Sequence, residues 1–420
     1  MRNDFCSLFR RFVFQTPGDT KLPAIRSQYE IVRTAPWWLA LRKGLGTAML
    51  SAVVAAFSLF LVGLTALPLL PSGLWWVRIW DFPRQQLALL LALCAAAQIA
   101  LWPESLAAKA VLGVTLLALC WQMWWIFPYT PLRRLQVQSA VRGGDPDQRI
   151  RLLIANVLQH NRNIHGLYRN ISVFNPDVVL ILEADDWWSR HLAAMAHRYP
   201  QKVLRPQENT YGMLLFSRLE VVNVTVRELV TEGVPSIKAL IRLRSGQLVE
   251  LYCLHPEPPV VGAHAYERDA EILLVARESV RSPYPVIVCG DMNDVAWSRT
   301  TRLFQRVSGL LDPRIGRGLY STFDARRWYA RWPLDHVFHD RRFLLNHLQL
   351  GRKLGSDHFP IIVELAYHPD AAERQETPRS ADSADHREAD EKIETGQEEA
   401  GRVPEKAPAR AEMAVTTPLK

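Results

Sequence analysis

Cysteine is scarce in this chain, and the few present do not act together. Cys6, Cys94, Cys120, Cys253 and Cys289 form neither a metal-ligand spacing nor a dense disulfide framework. A thiolate metal centre and a disulfide-stapled small fold are thereby excluded. Cys94 and Cys120 lie in apolar runs and Cys253 and Cys289 in predicted strands, as small buried hydrophobes do. A Cys253–Cys289 bridge would need neighbouring strands and an oxidising compartment. Charge is absent from residues 44–77, 85–103 and 110–132. With no Asp, Glu, Lys or Arg inside these runs, nothing there marks a transport path. Residues 369–420 contain no Phe, Trp or Tyr and are rich in Ala, Glu, Arg and Pro. Such a segment has too little apolar surface to order itself, so 368–420 is expected to be a disordered tail.

The uncharged runs are themselves informative. About 20 apolar residues span a hydrocarbon core, and a globular helix bundle would show a polar stripe that these runs do not. The expectation is a membrane module over residues 44–132 with three transmembrane helices. Ahead of it, segment 1–43 holds eight Arg and Lys residues, against Arg78 and Arg84 in loop 71–84. The positive-inside rule puts that segment in the cytoplasm, and three crossings put everything after the module on the other side. Trp75, Trp76 and Trp80, and Trp121, Trp124, Trp125 and Tyr129, fit interfacial aromatic belts. The formal charge is +8. The tail 369–420 has 13 acidic and 8 basic residues, net −5, so the remainder carries +13. That surplus favours a polyanionic or phosphate-bearing partner.

After a polar linker, 133–148, short strands alternate with turns and helices across 149–367. In Val286-Ile287-Val288-Cys289-Gly290-Asp291-Met292-Asn293-Asp294, a buried apolar strand ends at a glycine turn that presents Asp291 and Asn293 together. Strand 150–155 ends at Asn156, and Val178-Val179-Leu180-Ile181-Leu182 delivers Glu183. A carboxylate there must be paired, solvated or ligating. Strand 248–254 ends at His255-Pro256-Glu257-Pro258-Pro259. Helix 265–280 is expected to turn Glu267, Arg268, Glu271 and Arg277 outward. Residues 320–323 read as a strand. The run Arg326-Arg327-Trp328-Tyr329-Ala330-Arg331-Trp332 interleaves cations with aromatics, suited to phosphate or to stacking. Asp335 precedes His336, and Asp357 precedes His358; a carboxylate beside an imidazole can fix its tautomer.

In that order, Asn156, Glu183, His255, Asp291, Asn293, Asp335, Asp357 and His358 make residues 149–367 resemble the endonuclease/exonuclease/phosphatase superfamily, the deoxyribonuclease-I-like proteins. The turn His255-Pro256-Glu257-Pro258-Pro259, joined to an N-terminal membrane module, looks like a membrane-anchored bacterial branch, which implies an inner-membrane protein with its catalytic domain on the periplasmic side. The resemblance implies a four-layer α/β sandwich, two mixed sheets packed face to face and flanked by helices. It implies a Mg²⁺ or Mn²⁺ ion on Glu183, with Asn156 and Asp357 in support. Asp291 and Asn293 would align water and phosphate, and His358, oriented by Asp335, would act as base or electrostatic stabiliser. His255 would bind phosphate or protonate the leaving oxygen. The implied activity is phosphoester hydrolysis, as a phosphodiesterase or nuclease on nucleic acid, or on a phospholipid or small phosphoester. A non-enzymatic membrane receptor or scaffold is the other class of reading, and carboxylates converging on one site speak against it.

Overall fold

The computed structural model describes residues 37–70, 72–101, 105–140, 144–258, 264–376 and 378–402. The chain divides into two compact units, residues 1–50 and 51–420. In the first, the described residues form the opening turns of helix α1 (Trp37–Ala66). Most of the basic segment 1–43 lies outside the described residues.

The second unit opens with the remainder of α1, a single turn α2 (Trp75–Arg78), α3 (Arg84–Ala100) and α4 (Leu106–Ile126). Gln98 donates to the hydroxyls of Ser58 and Thr115, while Gln122 donates to that of Thr65 and its Oε1 accepts from Arg84. Over this stretch α1 and α4 therefore run the same way and α3 runs against them. Leu61, Leu87, Leu91, Cys94 and Ala118 fill the seam, and Leu89, Leu93 and Leu117 face outward. Polar side chains that bond across helices inside an apolar exterior suit packing in lipid. Two helices, Gly46–Leu69 and Leu106–Tyr129, are long and apolar enough to cross a membrane by length and composition. The third expected span is shorter: α3 has 17 residues, and its start is fixed by Arg84, which is buried against Asp81 at 2.5 Å.

The polar linker is not loose, since Val137 is fully buried in the main core. Beyond it come β1 (Arg149–Asn156), α5 (Ile164–Phe174), β2 (Val178–Leu182), α6 (Asp186–His191), β3 (Gln201–Arg205), β4 (Met213–Ser217), β5 (Glu220–Glu228), β6 (Pro235–Arg242) and β7 (Leu248–Leu254). Then follow α7 (Tyr266–Arg281), β8 (Val286–Asp291), α8 (Arg299–Ser308), β9 (Asp335–His339), β10 (Phe343–Leu350), β11 (Ile361–Tyr367), α9 (Ala371–Arg374) and α10 (Ser383–Gly401). One sheet runs β10-β11-β1-β2-β4-β3 and the other β5-β6-β7-β8-β9. Both are mixed, with β1 parallel to β2 and β7 parallel to β8.

Alternation along each strand builds the layers. Ile150, Leu152 and Ile154 of β1 and Ile287 and Cys289 of β8 point into the core between the sheets. Leu153 and Ala155 point the other way, toward α5 and Trp188 of α6, while Val286 and Val288 meet α7, α8 and α10. The result is an α/β sandwich of two mixed sheets flanked by helices. Cys253 and Cys289 are register partners on β7 and β8, and both are free thiols.

Four expectations change. Residues 320–323 make only isolated bridges, Phe323 pairing with Trp332 and His358. Strand β3 had no apolar alternation to announce it, being a half-exposed edge strand. Arg268 and Glu271 are buried, 1% and 2% exposed, because α7 is covered on more than one side. Part of that cover is α10, in the stretch expected to be disordered. Its capping box at Asp382 starts it, and Ala389, Ile393 and Gly396 form a narrow buried stripe. A Cβ on Gly396 would lie 2.4 Å from the Tyr266 carbonyl, so the two helices pack through small residues rather than aromatics. Ion pairs Arg306–Asp385, Arg299–Glu388 and Lys392–Asp269 complete the contact.

Candidate active site

The topology brings six chain segments to one end of the sandwich. Parallel β1 and β2 end at Asn156 and just before Glu183, and parallel β7 and β8 end just before His255 and at Asp291. Antiparallel β9 starts there, with Asp335 in register with Asp291. Antiparallel β11 starts shortly after His358, its Ile361 in register with Ile154 of β1. Gly290 is indispensable to this convergence: at φ +140°, a Cβ would lie 1.9 Å from the Leu254 carbonyl.

Asn156, 1% exposed, links the two sheets. Its Nδ2 donates to Glu183 Oε1 at 2.8 Å and to Asp291 Oδ2 at 3.1 Å, while its Oδ1 accepts from the Leu158 N–H. Glu183 has φ +57° and also accepts from the Gln159 N–H at 3.3 Å. Asp291 Oδ1 accepts from the Asn293 N–H at 3.0 Å. Asn293, at φ +49°, donates its side-chain amide to the Pro256 carbonyl. This ties the turn after β8 to the turn after β7, where His255 lies buried. The His255 ring sits 5.6 Å from Tyr211, and its Nδ1 has no hydrogen-bond partner among the described residues.

His358 is held on both ring nitrogens. Nδ1 lies 2.7 Å from Asp335 Oδ2, and Nε2 lies 3.5 Å from Asp291 Oδ2. Burial alone would lower the imidazole, but Asp291, Asp335 and Asp357 outweigh it and raise it to about 10. Burial also pushes the Asp335 carboxyl up, opposed by His358. The shared proton belongs on His358, since a second carboxylate reaches the ring's other nitrogen. Asp335 Oδ1 is buried without a partner among the described residues. Asp291, Asp335 and His358 form one buried cluster that could hold a cation. Asp357, expected beside Glu183, has its carboxylate 3.3 Å from Arg326.

Four further residues support the site, and three of them were not singled out from the sequence as site residues. Arg268 donates to the Asn293 carbonyl at 2.8 Å and pairs with Asp269. Arg314 donates to the Asp335 carbonyl at 3.3 Å and contacts His336. Gln159 and Arg326 reach Glu183 and Asp357. Three of these contacts use backbone atoms or backbone carbonyls distant in sequence, which no side-chain motif records. Arg326 alone carried a signal, in the basic aromatic run.

The donor chemistry suits a hard divalent ion. Glu183 and Asp291 share one amide NH₂, and among the described residues no Lys or Arg pairs with either. Oxygen donors of this kind select Mg²⁺ or Mn²⁺ over softer metals.

Residues 141–358 match the model of the Endonuclease/Exonuclease/phosphatase family, and the chain belongs to that family. No curated protein matches it. Solved structures similar to it include D. rerio TDP2 complexed with single strand DNA product. That likeness is 19% identical, covers 52% of this chain and 98% of the other, and has a TM-score of 0.45. The human Nocturnin catalytic domain with bound sulfate is 16% identical over 57% of this chain and 99% of its own, with a TM-score of 0.44. The endonuclease/exonuclease/phosphatase from Beutenbergia cavernae is 19% identical over 53% and 72%, also with a TM-score of 0.44.

Proposed function

We propose that the protein is a membrane-anchored, divalent-metal-dependent phosphodiesterase that directs water onto phosphorus. The observation that carries this reading is the arrangement around His358. Its imidazole is locked by Asp335 and faces Asp291, which Asn156 joins to Glu183. A Mg²⁺ or Mn²⁺ ion on Glu183, with Asn156 and Asp357 in support, would stabilise the charge that develops on phosphoryl oxygens. The chain's own residues do the rest. His358 brings positive charge and a proton to a phosphoryl oxygen, and Asp335 prevents the ring from turning away. Asp291 accepts a proton from the attacking water, and Asn293 holds the turn that aims it. His255, with Nδ1 unpaired, is placed to bind phosphate or protonate the leaving oxygen. The geometry suits a diester carried by nucleic acid or by a lipid.

The test uses the full chain in detergent with bis(4-nitrophenyl) phosphate and Mg²⁺ or Mn²⁺. Turnover should vanish in EDTA and fall about 10²–10⁴-fold in His358→Ala, with the circular dichroism spectrum unchanged. Equal turnover by His358→Ala, or turnover that ignores EDTA, overturns the reading.

A further inference from the structure

The helix bundle and the candidate active site share a wall. Trp297 Nε1 donates to the Asp81 carbonyl at 2.7 Å, and the Tyr129 hydroxyl donates to the Ala296 carbonyl at 2.5 Å. Arg302 donates to the Trp125 carbonyl and lies over its ring, 4.0 Å from the centroid. Ala296 and Trp297 follow Asp291 on the same loop, so the loop that leaves β8 sits directly on the ends of α3 and α4. A chain of rings runs from that end to the catalytic histidine. Phe82 lies 6.0 Å from Trp332, Trp332 lies 6.0 Å from Phe323, and Phe323 lies 5.0 Å from His358. Gln86, in the first turn of α3, donates to the Tyr329 carbonyl at 2.9 Å.

Loop 324–332 therefore spans from the first turn of a bundle helix to the mouth of the site. Its inner rings are packed, but its tip is not: Trp328 is 83% exposed and Tyr329 60%. The side chains of Arg326 and Arg327 beside them are 57% and 61% exposed while pairing with Asp324, and Arg326 with Asp357 as well. Exposed apolar residues continue around the same end of the bundle at Trp76, Ile79, Trp124 and Phe127. Trp and Tyr at the level of headgroups, with Arg beside them, suit an anionic bilayer surface.

Resting on the proposed phosphodiesterase activity and membrane anchoring, we infer that loop 324–332 is a membrane-surface element and that the substrate is the headgroup phosphodiester of a phospholipid in the bilayer the bundle spans. Trp328 and Tyr329 seat in the interface, Arg326 and Arg327 face anionic headgroups, and the site opens beside them. In the step itself, the water oxygen forms a new bond to phosphorus and one ester P–O bond breaks. The proton that water gives up is balanced by one delivered to the leaving oxygen, yielding an alcohol and a phosphomonoester with no change of oxidation state.

The full chain, reconstituted with vesicles of phosphatidylethanolamine and phosphatidylglycerol and Mg²⁺, would be compared with the Trp328→Ser/Tyr329→Ser double variant. Bis(4-nitrophenyl) phosphate and supercoiled plasmid serve as soluble substrates. The structure leads us to expect lipid cleavage by the wild type, reduced about ten-fold or more in the variant, with hydrolysis of the soluble diester unchanged. Retention of lipid cleavage by Trp328→Phe/Tyr329→Phe would confirm that ring character is what matters. Hydrolysis of the soluble diester, or plasmid nicking, by a wild type that leaves vesicle lipid intact overturns this inference alone. Equal lipid cleavage by the Ser variant overturns the role of the loop. Inactivity on every substrate overturns the phosphodiesterase reading and this inference with it.

Discussion

Asn156 donates one NH₂ to two carboxylates from different sheets, and the site depends on that donor. Asn156→Asp would replace it with a third acid, leaving Glu183 and Asp291 facing a like charge. A melting temperature lowered by the equivalent of about 1–3 kcal/mol, and partly restored by Mg²⁺, is expected. An unchanged melting temperature would deny the bridging role. Glu271 gives a second test at this scale. Burial, with Glu257 beside it, lifts its carboxyl from 4.5 to about 8, and its Oε1 lacks a partner among the described residues. The folded chain thus keeps a proton that the unfolded chain releases near 4.5. Between those two values stability falls as pH rises, by up to about 1.4 kcal/mol per unit. Glu271→Gln should melt with the wild type at about pH 5 and above it at about pH 8. Parallel curves at both pH values would place no buried proton there. Asp291 was legible because it stands at the end of an apolar strand, whereas Asp335 and His358 were marked by their Asp-His neighbours and by the family resemblance, and in the structure it is Asp335 that bonds His358. Arg268 was not legible: its site partner is the carbonyl of Asn293, and its helical position looked solvent-facing until α10 and the turn after β8 were packed around it.

At the scale of elements, strands built on a continuous apolar run were readable and those without one were not. β2 is apolar throughout, β1 carries Leu152-Leu153-Ile154-Ala155 and β8 opens with Val286-Ile287-Val288-Cys289, whereas β3 lies at an edge and has no such run. α10 escaped notice because its buried stripe is Ala389, Ile393 and Gly396, and its remaining contacts are ion pairs whose partners lie on α7 and α8. Lys392 bonds Asp269 at 2.5 Å, Asp269 holds Arg268, and Arg268 holds the Asn293 carbonyl. The helix therefore supports the active-site turn through three side chains. Ile393→Ala should cost about 2–4 kcal/mol, while the exposed Glu398→Ala stays within about 0.5 kcal/mol. Denaturant unfolding distinguishes them, and equal midpoints would show the tail to be dispensable.

For the whole molecule, the bundle's geometry bears on which side of a membrane the catalytic domain would occupy. α3 starts and α4 ends beside the domain, as Gln86 and Tyr129 show, and the two run against each other with Gln98 and Thr115 in contact. Together they form a hairpin that leaves the domain and returns, so they add two passes or none. The hairpin is credible despite the shortness of α3, because 17 residues rise about 26 Å, close to the hydrocarbon thickness. The side is then decided by α1, which over Ser58 to Thr65 runs parallel to α4 and so also toward the domain. With the eight basic residues of segment 1–43 favouring the cytoplasm, we propose a single net crossing that would put the catalytic domain outside it. A periplasm-active reporter fused after residue 402 should be active, and a reporter that works only in the cytoplasm should be silent. The reverse pattern would mean that α1 does not cross, and the bilayer surface facing loop 324–332 would then be the cytoplasmic one.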